Sequence, residues 1–553
     1  MSIKPISYSI FFLLLFSLFS CQQATDEKVD LIVHNATVYT VDKGFTKAEA
    51  FAIQDGKFIA VGTSKDILDN YQSEQKLDAR RLSIFPGFYD AHAHFYGLSE
   101  DLAQVDLRQT QSMGEVIERL NKHIEANPDQ EWIIGRGWDQ NLWGYEDLPT
   151  NDSLNAAFPD KKIALIRIDA HALLVNDKSL KAANFTPETE IPGGVLVKKN
   201  GRLTGMLLEA AKDKLLAFVP KPSEAKMREQ LLKAQEVCFE QGITSLSDAG
   251  LDKEIVELYR KMQEEGTLKI RINAMLNPTK ENKAFYLPKG PVSTDRLTVR
   301  CFKFYADGAL GSRGAYLLEP YADAPETRGV LRIDSATFAE EIKELHEKGF
   351  QVATHCIGDG ANRVVLNAYA EVLKIDNDKR WRIEHAQVVH PQDFDTFQRY
   401  RILPSVQPTH AISDMEWADE RLGEERLKNA YAFQDLYELN DLIVFGTDFP
   451  VEEPNQIYTF HAATARQNAY HKPAEGFLPE NAVEPRTAIR AMTHWPAFAA
   501  FEEDKKGTIE PGKLADFVIL DTDIMDTDKR LLRNTRVVQT FINGESVYSG
   551  EGM

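Results

Sequence analysis

The sequence predicts an α/β protein: a (β/α)8 TIM barrel with a small β-sandwich built from both termini and an α/β insertion after the first barrel strand. Three observations predict it. Eight short apolar runs alternate with charged amphipathic stretches, the pattern of buried parallel strands and crossover helices. Residues 29–80 and 507–553 read instead as hairpins, with turn signals at "QDGK" and "NGES". The interval 96–240 between the first two apolar runs is far too long for a βα loop. A chain of 553 residues, 43% of them hydrophobic, also exceeds what one core holds.

Taken in order, residues 1–21 ("MSIKPISYSIFFLLLFSLFSC") place Lys4 before an apolar run and end at Cys21, the plan of an export signal. The run is short for a membrane span. Its end, "LFSC", resembles a bacterial lipobox, which implies lipidation of Cys21 and an exported, membrane-anchored lipoprotein facing the periplasm or cell exterior. Residues 29–80 begin the sandwich and 507–553 complete it. The barrel takes 82–95 and 242–500, with strands expected at 82–94, 242–250, 268–276, 296–308, 350–359, 381–389, 402–410 and 442–451. The insertion, 96–240, carries its own strands ("EWIIGRGWDQ", "KIALIRIDAH", "GVLVKKNGRLTGMLLE") and is expected over the barrel mouth.

Composition narrows the partners. A net charge of -20 repels phosphate backbones and anionic lipid, so nucleic acid is excluded and membrane contact is left to the anchor. A small-molecule substrate is expected, and a homodimer is left open. Cys238, Cys301 and Cys356 lie in apolar segments and read as buried thiols rather than a disulfide framework.

Barrel chemistry sits where strands end at the C-terminal face. His92 and His94 end the first predicted strand, Lys303 and Asp307 the fourth, His355 the fifth, His385 the sixth and Asp448 the eighth. Residues i and i+2 of a strand share a face, so His92 and His94 point together into the mouth, where two imidazoles can hold one divalent ion. Any one of these could be a core histidine or a capping aspartate. Four histidines and an aspartate at four strand ends converge on a metal site.

The ordered series "DAHAH", "KFYADGALGSRGA", "THCIGD", "RIEHAQ" and "FGTDFPV", followed by "GTIEPGKLADFVILD", resembles the amidohydrolase superfamily, in the branch that contains N-substituted formamide deformylases. The resemblance runs from about residue 29 to the C-terminus and includes "GRGWDQNLW" and "HALLVNDKSL" in the insertion. It implies two divalent ions, zinc by expectation, with His92 and His94 on one, His355 and His385 on the second, Lys303 as a bridge, and Asp448 as both ligand and proton carrier. An ammonium cannot ligate, so the bridge requires Lys303 to be N-carboxylated to a carbamate; a bare Lys303 beside one ion is the alternative.

Hydrolysis of an amide or related non-peptide C–N bond by a metal-bound hydroxide then follows, because a divalent ion lowers the pKa of bound water from 15.7 to about 7. Arg313 is a candidate for a substrate carboxylate or else for a loop acid. His171, Trp138 and Trp143 are candidates for an aromatic lid, and His410 and Gln407 for substrate contact. Arg382 and Glu384 are expected either to face outward or to stand behind the ligands, with no role assigned. Two other readings use the same scaffold: a hydrolytic deaminase, and a lipid-anchored solute-binding protein without chemistry, for which Asp448 has no use.

Overall fold

The computed structural model describes residues 27–144, 148–168 and 171–550; Cys21 and the export signal lie outside them. Eight parallel strands follow one another around the barrel: β1 (Phe88–Ala93), β2 (Ile243–Leu251), β3 (Arg271–Leu276), β4 (Leu297–Tyr305), β5 (Gln351–Cys356), β6 (Arg382–His385), β7 (Leu403–Val406) and β8 (Val444–Phe445). Strands β1, β3, β6 and β7 are buried at every residue, as expected of strands covered on both faces. The helices around them are amphipathic. In Ser335–Glu347, Phe338, Ile342 and Leu345 face the core, and the Asp334 carboxylate caps the first turn by accepting from the Thr337 amide.

The barrel closes between β8 and β1 beyond the regular ladder. The Asp448 amide donates to the His92 carbonyl and the His94 amide to that of Phe449, each at 2.8 Å. Gly446 permits this approach, since a Cβ there would lie 2.5 Å from the His92 amide nitrogen. The closure therefore sets His92 of β1 and His94, just beyond its end, beside Asp448.

The sequence run at 82–94 is two strands, not one. Ser83–Pro86 pairs with Thr37–Tyr39 and with Phe517–Leu520 in a six-stranded sandwich sheet, and the chain enters the barrel only after Gly87. A four-stranded sheet of 31–34, 50–54, 57–62 and 75–78 forms the other layer. Phe51, Phe58, Phe517 and Phe541 fill the space between, with the Phe517 and Phe541 rings stacked at 4.2 Å. Arg271, at the start of β3, forks onto Asp516 (2.5 and 2.8 Å) and ties barrel to sandwich.

The insertion's six-stranded sheet spans Val105 to Glu209 and has an apolar cluster on each side. The flanking helices Phe95–Asp101 and Glu224–Glu240 bury Phe95, Leu98, Leu231 and Cys238 in the barrel's core, so the insertion proper is narrower than 96–240. Cys238, Cys301 and Cys356 are buried free thiols. Among the described residues, no helix is long and apolar enough to cross a membrane.

Candidate metal centre

The C-terminal ends of β1, β4, β5 and β6 and the turns after β7 and β8 surround a cavity of about 420 Å3 lined by His92, His94, Lys303, His355, His385, His410 and Asp448, among others. Asp448 sits at the middle. Its Oδ1 lies 3.1 Å from His94 Nε2 and 3.5 Å from His92 Nε2, and its Oδ2 lies 3.8 Å from His410 Nε2. His385 stacks on His410 (centroids 5.9 Å apart) and meets the His355 ring at 4.5 Å. Lys303 Nζ is 3.5 Å from His92 Nε2.

The His92 and His94 imidazoles are each fixed from behind. His92 Nδ1 meets Glu384 Oε2 at 2.5 Å, and His94 Nδ1 donates to the Ala249 carbonyl at 3.0 Å. These contacts put the proton on Nδ1 and leave both Nε2 lone pairs facing the centre, the arrangement a metal-ligating histidine requires. Glu384 is in turn held by Ser405 Oγ (2.7 Å) and Arg382 (2.7 Å). Of the two placements open to Arg382 and Glu384, facing outward or standing behind the ligands, the structure shows the second, and it gives Glu384 the role of holding His92. Both are fully buried, and strict alternation around His385 fails because its φ is 72°.

Asp90, the first residue of "DAHAH", also escaped the sequence reading. It accepts from Thr447 Oγ1 (2.7 Å), Gln456 Nε2 (3.0 Å) and the His92 amide (3.1 Å), bracing β1 against the turn that carries Asp448. Burial raises its pKa to about 7 against those bonds.

The electrostatics follow from burial among like and unlike charges. Burial and the Lys303 charge lower His92 to about 4, and burial with His355 lowers His385 well below the imidazole range, so both are neutral. Burial alone would raise Asp448 and Glu384; His92, His94 and His385 around Asp448, and Arg382 and His92 around Glu384, outweigh it and keep both ionised. Burial lowers Lys303 to about 8 despite Glu384 and Asp448 nearby.

Two sets of three potential donors lie within 4.8 Å of one another: His92, His94 and Asp448, and His385, His410 and Asp448. His355 Nε2, His385 Nδ1, His410 Nε2 and Asp448 Oδ1 are all buried and make no aligned hydrogen bond. Neutral His92 and His385, an ionised Asp448 that His94 approaches at 3.1 Å, and these unpartnered donor atoms crowded together are a donor set for divalent cations, so the residues fit the group.

A family model described as "Amidohydrolase family" matches residues 75–548. The chain belongs to the amidohydrolase family. Among curated relatives, a Bacillus subtilis (strain 168) protein, YtcJ, provisionally named an amidohydrolase, is 32% identical over 94% of this chain and 99% of its own. An Arthrobacter pascens N-substituted formamide deformylase is 24% identical over 95% and 99%. Among solved structures, a metal-dependent hydrolase from Pyrococcus furiosus, itself uncharacterized, shares 27% identity at a TM-score of 0.76, covering 90% of this chain and all of that one. The protein is thus a hydrolase of a metal-dependent amidohydrolase family, with a candidate His/Asp metal site.

The predicted substrate contacts fare differently. His410 lines the cavity. Trp138 does not: it is fully buried in the insertion's own core, its Nε1 donating to the Leu165 carbonyl at 2.8 Å. His171 is exposed beside Glu209 at 3.1 Å. Arg313 forks onto Asp323 at 2.6 and 3.1 Å and is absent from the cavity wall. Among the described residues, none between 96 and 240 lines the cavity.

Proposed function

We propose that this amidohydrolase cleaves an amide or related non-peptide C–N bond of a small molecule at a centre of two divalent ions, zinc by preference. His92 and His94 would hold one ion, His355 and His385 the other, with Lys303 as a carbamate and Asp448 shared between them. Such ions, when bound, polarise a carbonyl and lower the pKa of water by several units. The observation that carries the reading is the crowding of His92, His94, His355 and His385, a lysine and an ionised aspartate at strand ends in one cavity.

The chain's own groups supply the rest. Glu384 and the Ala249 carbonyl keep the His92 and His94 imidazoles in the ligating tautomer. A Lys303 pKa of about 8 makes the neutral amine, the form that combines with carbon dioxide, accessible near neutrality. Asp448 is placed to take a proton from water and return it to the departing nitrogen. Leu310, Ile357 and Trp417 give the cavity apolar walls. We further propose that Cys21 anchors the exported protein to a membrane.

The test is a screen of N-acyl amines, N-acyl amino acids and cyclic amides with zinc-loaded wild type and Asp448→Asn. Asparagine keeps the shape and one coordinating oxygen but accepts no proton, so turnover is expected to fall about 10²–10⁴-fold with metal content little changed. Near-normal turnover in this variant would remove Asp448 as the proton carrier, and metal-loaded protein that cleaves no C–N bond would sink the reaction class.

A further inference from the structure

Part of the wall of the same cavity is acidic. Asp414, which ends the helix Pro408–Ser413, and Glu452, in the turn after β8, both line it. Each is held by one oxygen. Tyr431 Oη (2.8 Å) and Gln387 Nε2 (3.0 Å) donate to Asp414 Oδ2, while Ser413 Oγ donates to Glu452 Oε1 at 2.6 Å. The Tyr431 hydroxyl also accepts from Gln387 Nε2 at 2.9 Å, closing a rigid triangle behind Asp414. Asp414 Oδ1 and Glu452 Oε2 have no donor, and neither carboxylate has an ion-pair partner among the described residues.

Cations that could neutralise them are committed elsewhere. Arg313 and Arg421 both bond Asp323, with the Arg421 guanidinium also 5.6 Å from the Trp417 ring centroid, and Lys303 lies against His92. Lys303 is the only lysine or arginine in the wall among the described residues. Trp417 adds an indole beside the two carboxylates, packed so closely on the loop that a Cβ at Gly311 would come within 3.1 Å of it. Elsewhere in the cavity the buried, unpartnered Asp448 Oδ1 and His385 Nδ1 mark it as a place where a ligand completes the bonding.

We propose that this wall is a cation subsite, and that the substrate carries an ammonium group remote from the bond that is cleaved. This rests on the C–N hydrolase reading above and names its substrate class: N-acylated amines with a second, charged amine. An ammonium brings three donors to the two free carboxylate oxygens, and it supplies the partner that half-buried carboxylates require. A substrate carboxylate in the same place would meet Asp414 and Glu452 with no arginine to receive it.

The probes are N-(4-aminobutyl)acetamide and N-pentylacetamide, which differ only in an ammonium against a methyl. Their binding is measured by titration calorimetry on zinc-loaded wild type, Asp414→Asn and Glu452→Gln. The ammonium probe is expected to bind wild type about 10- to 100-fold tighter, the usual worth of charge-assisted hydrogen bonds. That preference should shrink at least severalfold in each variant, and circular dichroism checks that each is folded; Glu452, with a single side-chain bond, remains informative if Asp414→Asn does not fold. Equal or tighter binding of the pentyl probe to wild type, or a preference that survives both substitutions, would overturn the proposal. Cleavage of the two probes is followed separately, so an intact ammonium preference without cleavage would fault the reaction class and leave the cation subsite standing.

Discussion

Glu384 shows how much of the centre depends on a residue that touches no reacting atom. Its carboxylate, kept ionised by Arg382 and His92, fixes the proton on His92 Nδ1. Glu384→Gln leaves the buried Arg382 without its charge partner, so it should lower stability as well as weaken metal retention or activity about 10- to 100-fold, the range for partners behind metal ligands; circular dichroism checks that the variant is folded, dialysis against a graded chelator reads metal retention, and turnover reads activity. Lys303 makes a second residue-level case. Lys303→Ala should be nearly inactive and regain part of its activity with short carboxylic acids, which can occupy the vacated bridge, whereas the same acids should do nothing for Glu384→Gln. Rescue absent at every acid concentration would argue that Lys303 does not bridge. The six proposed ligands were legible in the sequence because each ends a predicted strand. Glu384 was not, since the period-2 rule assigns neighbours to opposite faces and the positive φ of His385 breaks that rule locally. Asp414 and Glu452 were equally hidden, lying in a helix end and a turn where no strand register points a side chain.

The elements carry their own lesson. Seven barrel strands fall within the apolar runs and the second overruns its run by one residue, Leu251, but the run at 82–94 hides a change of sheet, for which the dipeptide Pro86-Gly87 was the available signal. Trp138 departs from its expected place for a related reason: the insertion's strands have a core of their own, and aromatic composition does not say which core a side chain joins. Barrel and sandwich meet at the buried Arg271–Asp516 pair, and losing one partner leaves the other charge buried. Asp516→Asn should therefore destabilise the protein by about 3–5 kcal/mol, read as a lowered denaturant midpoint at pH 7. The pH dependence has a definite sign. Burial would raise Asp516, but Arg271 outweighs it and the folded-state pKa is depressed, so its contribution is present above the ordinary carboxylate pKa of about 3.9 and fades as pH falls through the lower folded value. Wild type should lose stability across that acid window more steeply than Asp516→Asn; parallel curves would show that the pair does not stabilise the folded state through charge.

At the scale of the whole molecule, a barrel, a sandwich and an insertion share one chain, and only the barrel's C-terminal rim brings chemistry-bearing groups together. The net charge of -20 is consistent with an acidic outer wall beside the centre, and it disfavours the anionic substrates that an arginine at 313 first suggested. The central claim is that the clustered histidines, Lys303 and Asp448 form one binuclear hydrolytic centre, and anomalous diffraction from zinc-loaded crystals, recorded on both sides of the zinc edge, tests it most directly. The account predicts two peaks inside the cavity, one against the Nε2 atoms of His92 and His94 and one against His355 and His385, with Asp448 reaching at least one of them and density for a carbamate beyond Lys303 Nζ. Zinc bound elsewhere with this cluster empty, or a bare ammonium at Lys303 beside a filled pair, would contradict it.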